Sequence, residues 1–412
     1  MAILTQQLPN GLALLAEPMP WLESAAFAIL VPAGCSRDPD GRAGVSAMTC
    51  EMIQRGSGTR DSRQFIEDLE LLGVDFSSAV SNAHTSFGGA MPAESLFDAL
   101  AIYADLVRKP HLPPKQLEDA RLTCLQDVRA LEDDLPQKMM QRLRWRYYGD
   151  PFGRSSQGTL ESLERIKLAD IRHHVESTFV PTGAILSVAG KIDWPSLQDH
   201  VAQLFGDWSA RPLPALTVQP PTAGYEHIEQ DSSQTHIGLA YDSVPFAHPD
   251  YYDARAAIGV LSDGMSSRLF TEVREKRGLC YTVYAASHSL KDRGSVICYA
   301  GTTTDRAQET YDVILAEVLR LTAGIEEDEL RRLKSKLKSS LIMQQESSPA
   351  RSGSMAAEWY HLGRTQTLDE LGQIIDNLNV KNINTYLAAH PPHQFTTVTL
   401  GAKPLKIHAA TA

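Results

Sequence analysis

The stretch LLGVDFSSAVS at residues 71–81 returns later in the chain as KRGLCYTVYAA at 276–286. Each copy leaves a helical segment through a glycine and enters an alternating, β-prone run. The surroundings repeat as well. AAFAILV (25–31) reads as a buried strand and matches Thr235–Tyr241, and the long helical pattern PPKQLEDARLTCLQDV (113–128) matches EEDELRRLKSKLKSSL (326–341). WRYYGD (145–150) is answered by WYHLGR (359–364), TLESLERI (159–166) by TLDELGQI (367–374), and AILSVAG (184–190) by TTVTLGA (396–402). Matches in one order at a near-constant separation mark an internal duplication of a unit that mixes helices with strands. Two copies imply paired domains, since a repeat stack needs about three or more.

Between the copies, RPLPALTVQPPTA (211–223) carries four prolines and no periodicity, and so reads as a linker. The expected organisation is an N-terminal domain over 1–216 and a C-terminal domain over 217–412. The expected class is α+β, each domain an antiparallel sheet flanked by helices. A length of 412 residues fits two domains, and 43% apolar with 22% charged residues is ordinary for a globular chain. The net charge of −11 argues against nucleic acid or an anionic membrane as partner. Five scattered cysteines without a C-x-x-C indicate neither a disulfide framework nor a zinc knuckle, and suit a reducing compartment. No leader-like N-terminus and no apolar run of ~18 residues is present, so a soluble cytoplasmic protein is expected.

The first copy holds AGVSAMTCEMIQRGSGTR (43–60). Val45, Met48 and Met52 recur at helical spacing, and Gly56, Gly58 and Thr59 end the run. The pattern predicts one amphipathic helix with a Gly-rich exit. In the second copy Asp250–Leu261 takes the place of this helix, and Arg268–Lys276 is expected to form a helix before the KRGLCYTVYAA strand.

The duplication, the 43–60 helix and SSRLFTEVREKRGLCYTVY (266–284) together resemble the insulinase/pitrilysin family of zinc peptidases. The resemblance is closest to the short processing-peptidase branch and covers essentially the whole chain. SRLFTEVREKRGLCY is highly specific in identities and spacing. The resemblance implies two similar domains that form half of a clamshell and act as a dimer. Active members carry the inverted zincin motif H-x-x-E-H on the first helix. The two His bind zinc, the Glu between them takes a proton from zinc-bound water, and a Glu on a later helix is the third ligand.

Laid on this sequence, that pattern puts Ala47 at the first His, Cys50 at the base and Glu51 at the second His. The third-ligand position falls at Asp127. No shift of register restores a His to the helix, because His84 is the first in the chain. Ala47 has no donor atom, and two carboxylates without imidazole make a poor zinc site. No metal is therefore expected on this chain, and the helix reads as a scaffold with Cys50 as a small buried hydrophobe. A Cys50–His84 nucleophilic pair is the alternative use of these residues. His173 and Glu176 stand at H-x-x-E spacing, but Ser177 follows, and a polar helix face is the plainer reading.

The second copy keeps what the first has lost. The family places an Arg and a Tyr seven residues apart in this segment, where they hydrogen-bond the peptide near the scissile bond. Arg274 and Tyr281 hold those positions, with Gly278 and Leu279 between them. A helix-end guanidinium and a strand hydroxyl suit developing oxyanion charge. The competing structural roles are an ion pair of Arg274 with Glu272 or Glu275, and Tyr281 packed at a sheet edge. The loop VLSDGMSSRLF (260–270) has only Gly264, against the glycine-rich loop of the family, which argues against a flexible gate.

The resemblance therefore implies a catalytically degenerate subunit that pairs with a zinc-bearing homologue as a heterodimer. Zinc, water and base would belong to the partner. Unfolded peptide would be the substrate, and the acidic charge favours basic peptides. The alternatives are a non-proteolytic structural or peptide-binding homodimer, and a weak metalloenzyme using Glu51 and Asp127.

Overall fold

The structure, a computed structural model, describes residues 3–344 and 346–407. The chain divides into two compact units. One gathers residues up to Ala130 with Asp150–Gln219 and Ile342–Leu368; the other gathers Leu131–Gly149, Pro220–Leu341 and residues from Asp369 onward. Residues 209–223 between the copies form neither helix nor strand.

In the first unit β1 (Leu4–Gln7) and β2 (Ala13–Pro18) form an antiparallel hairpin, turned at Gly11 with φ +95°. β3 (Ser24–Val31) follows. A two-residue ladder, β4 (Gly56–Ser57) with β5 (Arg60–Asp61), precedes β6 (Asp75–Val80), β7 (Thr85–Pro92) and β8 (Ile185–Gly190). The main sheet has the order β1-β2-β8-β3-β7-β6. Strand period two sorts side chains between its faces. Leu14 and Ala16 of β2 join the larger core with Phe27, Ile29, Phe65 and Tyr103. Ala13 and Leu15 face the other way, onto Met355 and Ala356 of the Ser348–Leu362 helix. Burial on both faces explains why β2 is apolar from Ala13 to Ala16 and does not alternate there.

The second unit contains β9 (Tyr225–Glu229), β10 (Gln234–Ser243), β11 (Cys280–Ser289), β12 (Gly294–Thr303) and β13 (Thr396–Gly401) in the order β11-β12-β10-β13-β9. This order corresponds strand for strand to β6-β7-β3-β8-β2. The Leu135–Tyr148 helix lies on one face, with Met139, Met140 and Leu143 against Ala240, Ile297, Tyr299, Val398 and Leu400. Gly238 allows that approach, since a Cβ there would stand 2.5 Å from the Met139 sulfur.

The two units thus exchange a helix: Leu135–Tyr148 belongs to the second, Ser348–Leu362 to the first. WRYYGD and WYHLGR contain the C-terminal ends of these two helices, which is why they match. The class is α+β. The sheets are not wholly antiparallel, however, because β2 pairs with β8 and β9 with β13 in parallel. Those partners are far apart in sequence, so no hairpin fixes their relative direction. Among the described residues no helix is long and apolar enough to cross a membrane.

Candidate functional site

The helix expected over 43–60 spans Val45–Ile53, and its glycine-rich exit becomes the β4–β5 ladder, with Gly56 and Gly58 at positive φ. Its N-terminus is built by a residue the sequence reading passed over. The backbone N–H groups of Gly44 and Ser46 donate to the two carboxyl oxygens of Asp38 at 2.5 and 3.1 Å. Burial pushes this carboxyl up to about 7, against the lowering effect of those donors. Arg154 holds the Asp38 carbonyl and is fixed in turn by Asp150 at 2.6 Å.

On this helix Cys50 is 7% exposed, and burial raises its thiol to about 11. Gln54 Nε2 donates to the Cys50 carbonyl at 2.8 Å and reaches Ser78 Oγ of β6 at 3.2 Å. Glu51 is bound by the guanidinium of Arg55, one turn on, at 2.6 Å. Asp127 is exposed on the Leu117–Asp133 helix. The charges of Glu51 and Asp127 both act on Cys124, whose thiol burial raises to about 12. The degenerate positions do not fit zinc. Ala47 offers nothing, Glu51 is neutralised by Arg55, and Cys50 is held as a thiol where a ligand must be a thiolate. Among the described residues no group of three or more His, Cys, Asp or Glu is placed to hold a metal ion.

The same raised thiol works against Cys50 as a nucleophile, which needs the opposite shift. His84 is buried in the β6–β7 turn with its ring edge-on to Tyr360 at 4.4 Å. His174 is a core residue, 2% exposed. One ring nitrogen is bonded to the Ala33 backbone, Nε2 has no hydrogen-bond partner among the described residues, and burial lowers the pKa to about 4.

Arg274 and Tyr281 are brought together. The segment expected as an ordinary helix is a π-helical turn over Phe270–Glu275, in which the Lys276 N–H donates five residues back to the Thr271 carbonyl. Single π turns of this kind are frequent at functional sites. Tyr281 is the extra residue of a bulge in β11, since Cys280 pairs with Thr302 and Thr282 with Gly301. A bulge re-aims a side chain and sits typically at a sheet edge, which β11 is. Tyr281 is 81% exposed. The Arg274 guanidinium lies between two rings, 4.7 Å from the Phe270 centroid and 4.8 Å from that of Tyr281. The ion pair considered for it is made by others: Glu272 is taken by Lys276 and Arg277, both at 2.7 Å. Among the described residues the Arg274 side chain has no hydrogen bond and no acidic partner. Phe270 was missed from the sequence, although its i,i+4 spacing to Arg274 is the signal that could have found it.

The loop before this turn is tied down. Lys336 pairs with Asp263, and the buried Arg268 grips Glu329 with two hydrogen bonds of 2.7 Å. A cavity of about 460 Å³ lies beside it, lined by Asp263, Met265, Glu329, Arg332 and Lys336.

Residues 14–159 match the family model of the insulinase peptidases, peptidase family M16, and residues 165–337 match that of the peptidase M16 inactive domain. The chain is 26% identical over 379 residues to the uncharacterized zinc protease YmxG of Bacillus subtilis, covering 91% of this chain and 92% of that one. It is 24% identical over 379 residues to an uncharacterized zinc protease of Rickettsia felis, covering 92% of each. A crystal structure of a peptidase M16 inactive domain from Pseudomonas fluorescens superposes over 99% of both chains with a TM-score of 0.88 at 22% identity, a likeness of fold.

Proposed function

This chain belongs to the insulinase family, peptidase family M16, and from that premise we propose that it is a catalytically degenerate subunit that serves peptide hydrolysis by a zinc-bearing homologue. The contrast between its two copies carries the reading. At the metal-helix positions Ala47 has no donor and Glu51 is tied to Arg55, whereas the half-buried Arg274 and the exposed Tyr281 have no hydrogen bond or ion pair from their side chains among the described residues. The partner supplies zinc, water and base. This chain supplies a sheet edge for an extended peptide and the Arg274/Tyr281 pair, whose donors hold that peptide near the scissile bond. Its five free cysteines suit a reducing compartment such as the cytoplasm.

The test is reconstitution with a homologue from the same organism that retains H-x-x-E-H. Alone, this chain leaves a quenched fluorescent peptide uncut; the mixture cuts it. Arg274→Ala lowers turnover about 10²-fold with the complex still assembled by size-exclusion chromatography. Unchanged turnover supports the alternative, a non-proteolytic peptide-binding homodimer.

A further inference from the structure

We infer that the slot formed by Arg274, Phe270 and Tyr281 receives a carboxylate of the bound peptide. The inference rests on the peptide-binding reading above and names the chemistry of the ligand at that site. The warrant is an uncompensated cation. Arg274 is half-buried between two aromatic faces, which order its planar fork and strip part of its hydration. Every other cation in the turn has an acid: Lys276 and Arg277 share Glu272, and the neighbouring Arg306 pairs with Glu309 at 2.9 Å. Among the described residues Arg274 has none.

A neutral peptide carbonyl satisfies one prong of a guanidinium and leaves its charge unanswered. A carboxylate answers both charge and geometry with two parallel hydrogen bonds. Approach is open. Nothing lies within 4 Å of where a Gly278 side chain would begin, and the Tyr281 hydroxyl, carried out on the bulge, is free to add a third donor. The immediate charge is also favourable. Residues 270–281 contain Arg274, Lys276 and Arg277 against Glu272 and Glu275, a net +1 within a chain of −11. At contact distance this local excess outweighs the distant acidic groups, which salt screens beyond ~10 Å. The preference for basic peptides expected from the overall charge is therefore reversed at this site.

Two sources offer such a group, the C-terminus of a peptide and an Asp or Glu side chain within it. The experiment uses the full chain and a dye-labelled nine-residue Ala/Ser/Leu peptide in three forms. These are the C-terminal acid, the C-terminal amide, and the amide with one central Glu. Fluorescence anisotropy should show the acid form, the Glu form or both binding at least about tenfold tighter than the plain amide. Preference for the acid form alone assigns the peptide C-terminus; preference for the Glu form assigns the side chain. Arg274→Gln should erase the difference, so that the acid and Glu forms bind that variant no tighter than the plain amide binds it. Arg274→Lys, which keeps the charge but not the fork, should retain part of it and serves if the Gln variant does not fold. Equal binding of all three forms to the wild-type chain overturns the inference and leaves the peptide-binding reading standing, as does discrimination that survives Arg274→Gln. Binding of none of the three overturns that reading and the inference with it.

Discussion

The guanidinium of Arg274 stands 4.8 Å from the ring centroid of Tyr281, although the two residues lie on different elements. A π turn carries the first and a β-bulge carries the second. Both departures from regular structure fall within a dozen residues, and each changes the direction of one side chain. An α-helical turn followed by an unbulged strand would point Tyr281 elsewhere relative to Arg274. Local irregularity here brings two side chains together, and the Phe270 ring lies 4.7 Å from the same guanidinium.

Phe270→Leu should separate positioning from stability. The substitution keeps an apolar side chain and removes one cation–π face, worth about 0.5–1 kcal/mol at a site this open. Peptide affinity is expected to fall about two- to fivefold, with the thermal midpoint within about 2 °C of wild type. A midpoint that falls while affinity holds would make Phe270 a packing residue only. Anisotropy titration and a melting curve decide it.

Much of the architecture is legible in the sequence because the duplication is. The strand order of one sheet follows from the other, and Gly11 marks the first hairpin. The helix exchange is not legible, because Met139 and Met355 show ordinary helical periodicity and nothing in that periodicity states which sheet they cover. The site divides in the same way. That Ala47, Cys50 and Glu51 depart from H-x-x-E-H is read directly from the sequence. That Arg55 neutralises Glu51 is visible only as an i,i+4 spacing, one of many in the chain. Asp38 lies outside the helix it caps, and the bulge at Tyr281 depends on pairing with β12, a partner that local sequence does not reveal.

Zinc should not load onto this chain. After dialysis against micromolar zinc and gel filtration, atomic emission should find well below one equivalent. Arg55→Ala frees Glu51 from its 2.6 Å ion pair but adds no donor at Ala47, so that variant should remain empty too. Stoichiometric zinc in either protein would reinstate Glu51 and Asp127 as ligands.

Two buried groups should give opposite pH dependences. His174 has a folded pKa of about 4 against an ordinary 6.5, set chiefly by burial. Between those values the unfolded chain binds more protons, so this group's stability is full above pH 6.5 and lost as pH falls towards 4. The full difference is about 3 kcal/mol. Asp38, raised to about 7 from 3.8, behaves inversely: the folded chain holds its proton longer, and stability declines as pH rises from about 4 to 7. Relative to wild type, His174→Gln should therefore lose its disadvantage as pH drops from 7 to 4.5. Asp38→Asn should lose ground over the same drop. Denaturant midpoints at the two pH values measure both, and parallel curves for wild type and variant would refute the assignment.

The exchanged helix makes the first unit depend on residues far along the chain. Arg351 is fully buried on it and binds Glu17 of β2, donates to the Gln366 carbonyl at 2.7 Å, and lies 3.7 Å from Glu358. Arg351→Met strands two buried acids and should cost about 3–5 kcal/mol. Adding Glu17→Gln and Glu358→Gln removes those charges and should recover part of the loss, which identifies uncompensated charge and not lost packing as the cause. The same geometry predicts the fate of a chain cut within 211–223. Residues 1–216 alone lack the helix that covers Ala13, Leu15, Ile185 and Ala189, and leave that face of the sheet wet. The isolated half should bind hydrophobic dye and aggregate. Co-expression with 217–412, which carries the missing helix, should return a soluble 1:1 complex. A monomeric, cooperatively melting 1–216 fragment would show that the helix is dispensable.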